Sequence, residues 1–156
     1  LPATGRQTLV RLALGLERAQ GESGDSSPTR EELPRHAEMV FLGDFLAPVE
    51  DIERSIRFYA ERGIKGHLLQ ILDPAEAALP YRGRVRFEGL ESEGDWLLSR
   101  VETVRQAYFE RLEQHQEALG AVARRLGWTI QVHHTDRPAE GALLALYTAL
   151  SQAPGI

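Results

Sequence analysis

The sequence predicts an α/β chain: a parallel sheet with helices on both faces, and a β-hairpin or edge arm attached. Three observations lead there. Apolar runs of strand length occur at residues 37–43, 66–72 and 128–132. Stretches with three- and four-residue apolar spacing lie between and after them, and alternation of strands with helices is the pattern of an open parallel sheet. The first strand, the helix after it and the second strand fit within the roughly 30 residues of a βαβ unit, which implies a parallel pair and a right-handed crossover. With 156 residues the chain has room for one domain around one core.

Along the chain, residues 8–20 predict a helix, with Leu9, Leu12, Leu14 and Leu16 as its apolar surface and Gly21 at its end. Residues 21–34, with Gly21-Glu22-Ser23-Gly24-Asp25-Ser26-Ser27-Pro28, have the composition of a mobile loop. Residues 37–43 follow as a strand. Its Val40-Phe41-Leu42 is fully apolar, as expected of a central strand with neighbours on both sides. Residues 48–62 read as a helix with an acidic first turn, Gly63 as its stop, and Ile52, Ile56 and Tyr59 facing the core. Residues 66–72 form the second strand.

Strict alternation in Arg84-Val85-Arg86-Phe87-Glu88 predicts a half-exposed strand in a hairpin or at an edge, with Val85 and Phe87 inward. Residues 100–127 form a long helix. Val101, Val104, Tyr108, Leu112, Leu119, Val122 and Leu126 mark its core face, and Gly127 ends it. A third strand at 128–132 and a closing helix at 139–150 complete the set. Three core strands are few for such a sheet, so the neighbours of the first strand are expected from residues before Leu1 or from another chain.

Composition narrows the function. A net charge of −5 argues against a nucleic-acid or anionic-membrane partner, both of which reward a basic surface. The absence of cysteine excludes disulfides and thiolate metal sites. No apolar run reaches the roughly 20 residues needed to cross a bilayer, and the start lacks the features of a signal peptide. Leu1-Pro2-Ala3-Thr4-Gly5 matches a sortase sorting motif, but that signal acts near a carboxyl terminus; here it is a chance match.

Chemistry is expected at the carboxyl ends of the strands, where open α/β sheets bind ligands. Asp44, Asp73 and Asp136 each follow a predicted strand there. Three carboxylates on one rim suit Mg²⁺ or another hard cation. Aspartate after a strand is also a common turn former or helix cap. Asp73, ahead of Pro74, and Asp136, ahead of Arg137-Pro138, fit that second duty. Asp44, directly after the most apolar strand, is the best ligand candidate.

His133 and His134 point to opposite faces of a strand and do not easily share a metal. Arg82, Arg84 and Arg86 make a basic stripe, with Glu88 and Glu91 beside it, which fits a charged edge better than a phosphate site. Ser26, Ser27 and Thr29 lie in the loop. No phosphate loop or nucleophile elbow is present. An alternative chemistry, Mg²⁺-dependent phosphohydrolysis using Asp44 with Asp73 or Asp136, would lack a lysine for charge neutralisation: Lys65 is the only lysine and lies at a strand's amino end.

Three segments together resemble the domain of unknown function 58 family. They are Val40-Phe41-Leu42-Gly43-Asp44-Phe45-Leu46; Leu69-Gln70-Ile71-Leu72-Asp73-Pro74-Ala75-Glu76 with Leu79-Pro80-Tyr81 and Gly83-Arg84-Val85-Arg86-Phe87; and Val104-Arg105-Gln106-Ala107-Tyr108 with Thr135-Asp136-Arg137-Pro138. The resemblance implies a partial von Willebrand factor A-like, Rossmann-like three-layer fold, the chain corresponding to the C-terminal two-thirds of such a domain. It implies a bacterial cytoplasmic protein that is not an enzyme: a protein-binding or assembly module working with a MoxR-type AAA+ ATPase. It also implies a metal-ion-dependent adhesion site in which Asp44 is one ligand of Mg²⁺ or another divalent cation. The Asp-x-Ser-x-Ser element of that site is absent here and is expected upstream of Leu1. Its threonine has only Thr4 and Thr29 as candidates. The chain by itself is therefore expected to bind no cation tightly.

Overall fold

Residues 65–72 read Lys-Gly-His-Leu-Leu-Gln-Ile-Leu, and the fold is built around them. In the computed structural model, which describes residues 10, 11, 13, 14, 32–34, 37–88 and 95–151, they form the middle strand of a three-stranded parallel sheet. The elements in order are β1 (Glu38–Gly43), α1 (Val49–Ala60), β2 (Lys65–Leu72), α2 (Pro74–Ala78), β3 (Val85–Glu88), β4 (Asp95–Leu98), α3 (Glu102–Arg125), β5 (Thr129–His134) and α4 (Ala139–Ser151). The sheet order is β1-β2-β5, with Val40 opposite His67, Gly43 opposite Gln70, and Leu72 opposite His134. This is the mixed α/β, partial Rossmann-like arrangement that the alternation of strands and helices predicts. Of the predicted helix at 8–20, residues 10, 11, 13 and 14 are described and are helical. The predicted loop at 21–34 lies outside the described residues apart from 32–34.

The strand order advances in one direction, so crossovers of one hand bring α1 and α3 to the same face of the sheet. One core cluster records this. Ile52, Ile56 and Tyr59 of α1 meet Leu68 of β2, Leu119, Val122 and Ala123 of α3, and Ile64 and Trp128. Phe41 of β1 packs among them, its ring 5.7 Å from that of Trp128 and 6.1 Å from that of Tyr59. Tyr59 and Ile56 are each only 2% exposed, and burial of a side chain of this size contributes about 1.5–3 kcal/mol. Glu53 adds a tie between the two helices, accepting from Arg57 on its own helix and from Arg125 of α3 at 2.6 Å.

The ends of α1 and α3 follow the sequence rule for helix stops. Gly63 and Gly127 take φ of 75° and 71°, the left-handed conformation that glycine adopts without penalty just past a helix.

Side chains of β2 that point away from α1 and α3 are also buried: His67 at 7% and Leu69 at 6% exposure. α4 packs against β5 and contributes nothing to the α1–α3 cluster. Cover is uneven, however. Val40 and Leu42 are 37% and 64% exposed, and Leu143, Leu144 and Tyr147 of α4 are more than half exposed. Among the described residues β1 is an edge strand paired only with β2, and its burial alternates. Met39 and Phe41 turn to the core and Val40 and Leu42 turn out.

α3 departs from expectation. Its core residues cluster in the carboxyl half, at Leu119, Val122 and Ala123, while Val104, Tyr108 and Leu112 are half-buried. The arm is the predicted hairpin. β3 and β4 pair antiparallel in a separate two-stranded sheet, Val85 opposite Leu98. Its base is held to the start of α3: Val101 N–H donates to the Gly83 carbonyl at 3.0 Å, and Gly83 N–H donates to Glu102 Oε1 at 2.8 Å. Hydrogen bonds from the Glu102 and Gly83 backbone lower the Glu102 pKa below the ordinary carboxylate value.

Candidate functional site: the carboxyl rim of the sheet

The chain leaves β1 at Gly43 and turns sharply into α1, and Asp44 sits in that turn. Its Oδ1 accepts the Leu46 N–H at 3.2 Å, a side-chain turn that aspartate forms readily. Phe45 between them has φ 50°, in the left-handed region where a residue with a Cβ is uncommon. Its side chain packs against the core cluster. The loop is held from beneath by side chains of β2 and α3. Gln70, fully buried, donates from Nε2 to the Asp44 carbonyl at 2.7 Å. Gln116 of α3 donates to Gln70 Oε1 at 3.2 Å. His115, beside it, places Nε2 2.6 Å from the Phe45 carbonyl.

Gln70 reaches this loop because of register. It lies opposite Gly43 on one side and Val132 on the other, so its side chain projects from the face covered by α3. A buried amide must be hydrogen-bonded, and a glutamine inside Leu68-Leu69-Gln70-Ile71-Leu72 was the sequence signal for this network. Nothing in the sequence distinguished His115 from the other polar residues of a long helix.

Asp44 is exposed and stands between the exposed Leu42 and Leu46. Asp73 is committed elsewhere. Its Oδ1 accepts the Ala75 N–H at 2.7 Å, Glu76 Oε2 returns a bond from the Asp73 N–H at 3.0 Å, and Oδ2 receives the Thr135 hydroxyl at 3.3 Å. This capping box starts α2, the cap duty that the sequence favoured for Asp73. Asp136 is exposed in a turn closed by Arg137 N–H donating to the His134 carbonyl. Helix α4 begins only at Ala139, so Asp136 does not occupy the capping position expected of it.

The three aspartates share one end of the sheet but are not brought together. Among the described residues no group of three or more histidine, aspartate or glutamate side chains could hold a metal ion. The carboxylates present thus do not by themselves fit a divalent cation.

His133 and His134 occupy opposite faces, as predicted. His134 lines an open cleft of about 440 Å³ with Leu72, Leu112, Glu113, Gln116 and Val132. Arg82, Arg84 and Arg86 are exposed along the arm and its approach. Lys65 is exposed at the amino end of β2, far along the strand from the rim. Thr4, Ser26, Ser27 and Thr29 lie outside the described residues. Among the described residues, no helix is long and apolar enough to cross a membrane.

No curated protein and no solved structure matches the chain. The model of the family described as "Protein of unknown function DUF58" matches residues 2–118, a span that includes β1 with the Asp44 turn, the Asp73 cap, the arm and the His115–Gln116 pair of α3. The chain belongs to the domain of unknown function 58 family.

Proposed function

We propose that the chain is a non-enzymatic protein-docking module whose contact surface is the carboxyl rim of β1, and that a MoxR-type AAA+ ATPase is its partner. One observation carries this reading. Asp44 presents a carboxylate between two exposed leucines, Leu42 at 64% and Leu46 at 44%, on a loop secured from below. A charge flanked by exposed apolar side chains on a pre-set loop has the character of an interface patch. In the adhesion-site reading Asp44 would be one ligand of a cation. The other donors do not come from the described residues, so the proposal rests on the carboxylate and its leucines alone.

Calorimetric titration of the chain against a purified MoxR-type ATPase, with Mg²⁺ and with a chelator, tests this. Asp44→Ala and Leu42→Ser should each weaken binding about tenfold, the effect of truncating a contact worth more than 1 kcal/mol. Affinity unchanged by both substitutions would sink the reading. Binding abolished by chelator and by Asp44→Ala together would add a cation to it.

A further inference from the structure

We propose that His115 is a positioning residue for the Asp44 rim, its Nε2–H holding the Phe45 carbonyl and so fixing the direction in which Asp44 is presented. The functional weight of this clamp rests on the docking reading above; the clamp itself is a property of the chain and is tested without a partner.

A phenylalanine in the left-handed region persists only where its surroundings impose it. Here three contacts do so. The ring is packed against the core cluster. The carbonyl before it, that of Asp44, is held by Gln70 at 2.7 Å. Its own carbonyl is held by His115 at 2.6 Å. The peptide planes on both sides of Phe45 are thereby fixed, one from β2 and one from α3.

A carbonyl oxygen only accepts, so the His115 contact requires the proton on Nε2. Gln116, the next residue, supports Gln70 in turn, at 3.2 Å. Two consecutive residues of α3 therefore act on the two carbonyls that flank Phe45, one directly and one through Gln70. The Asp44 side chain is closed onto Leu46 N–H across that same residue. Releasing Phe45 frees the turn that orients the carboxylate.

The experiment compares His115→Phe, which keeps an aromatic ring without the donor, with His115→Gln, which can restore an N–H, in the full chain without partner or metal. Amide hydrogen exchange and backbone chemical shifts are read at Asp44, Phe45 and Leu46, with the β2 amides as internal reference. In His115→Phe, exchange at Leu46 should rise about five- to tenfold, the effect of losing one hydrogen bond of ordinary net strength. The Phe45 carbonyl carbon should shift, while β2 stays as in the parent. His115→Gln should lie near the parent. Unchanged signals at residues 44–46 in His115→Phe would overturn the proposal. So would β2 amides that move as much as the loop, or a His115→Gln variant that behaves like His115→Phe. None of these readings depends on whether the ATPase binds, so failure of the clamp and failure of the docking reading are separable.

Discussion

At the scale of single residues, the buried polar groups carry the most information. Both polar atoms of the Gln70 side chain have hydrogen-bond partners, and the Nε2 bond secures the Asp44 loop. His67 is satisfied on one side only. Nδ1 meets Thr129 Oγ1 at 2.7 Å across the β2–β5 pair, while the buried Nε2 has no hydrogen-bond partner among the described residues. An unmet buried polar atom costs more than an ordinary bond returns. Thr129→Val strands the second nitrogen too and should lower stability by about 1–2 kcal/mol in urea unfolding. Adding His67→Leu to that variant should recover most of the loss, since replacing both partners by apolar groups can be nearly neutral. A double variant less stable than Thr129→Val alone would contradict this account of the pair. Sequence made Gln70 and His67 visible as polar residues in an apolar strand. It did not show which would be satisfied, because that depends on register and on the residues facing them.

At the scale of elements, the most constrained contact is that between the start of β2 and the start of β5. Trp128 donates its indole N–H to the Ile64 carbonyl at 3.1 Å, and its ring lies against Gly66. A Cβ at residue 66 would stand 2.1 Å from that ring, whose own position is set by stacking on Phe41. Gly66→Ala should therefore cost about 2–3 kcal/mol through overpacking, read as a lower midpoint in denaturant with an unchanged slope. A midpoint within error of the parent would show that the ring moves aside freely. The elements themselves were largely legible. Ile52, Ile56 and Tyr59 recur at helical spacing and are the residues that α1 buries, and Gly63 and Gly127 mark true helix ends. The hairpin was legible in the alternation of residues 84–88. The amino half of α3 was not: Val104, Tyr108 and Leu112 have the same spacing as the buried residues below them, yet all three are only half-buried, and Leu112 borders an open cleft. Periodicity says which face of a helix is apolar, and only the neighbouring layer decides how far along the helix that face is covered.

For the whole molecule, the central feature is an asymmetry. One face of the sheet carries α1 and α3 over a shared core, while β1, the edge strand among the described residues, leaves Val40 and Leu42 exposed and leads straight into the Asp44 turn. The parallel order and the first crossover followed from the spacing of strands and helices. The alternation of burial along β1 did not, because an apolar strand records what its faces can bury and not which of them is covered. The site was legible in part for the same reason. Asp44 stood out as the carboxylate after the most apolar strand. Cap and turn duty was legible for Asp73 and Asp136 in the prolines that follow them, and their hydrogen bonds place Asp73 in a helix cap and Asp136 in a turn. What remains is a rim on which the Asp44 carboxylate stands between two exposed leucines with a clamp beneath, which is the basis for reading it as a docking surface. The most direct test is the footprint of the partner, measured by hydrogen–deuterium exchange on the chain alone and on its complex with a MoxR-type AAA+ ATPase. The account predicts new protection across residues 42–46, with β3 and β4 unchanged. Protection confined to the arm or to α4, with residues 42–46 exchanging as in the isolated chain, would contradict it.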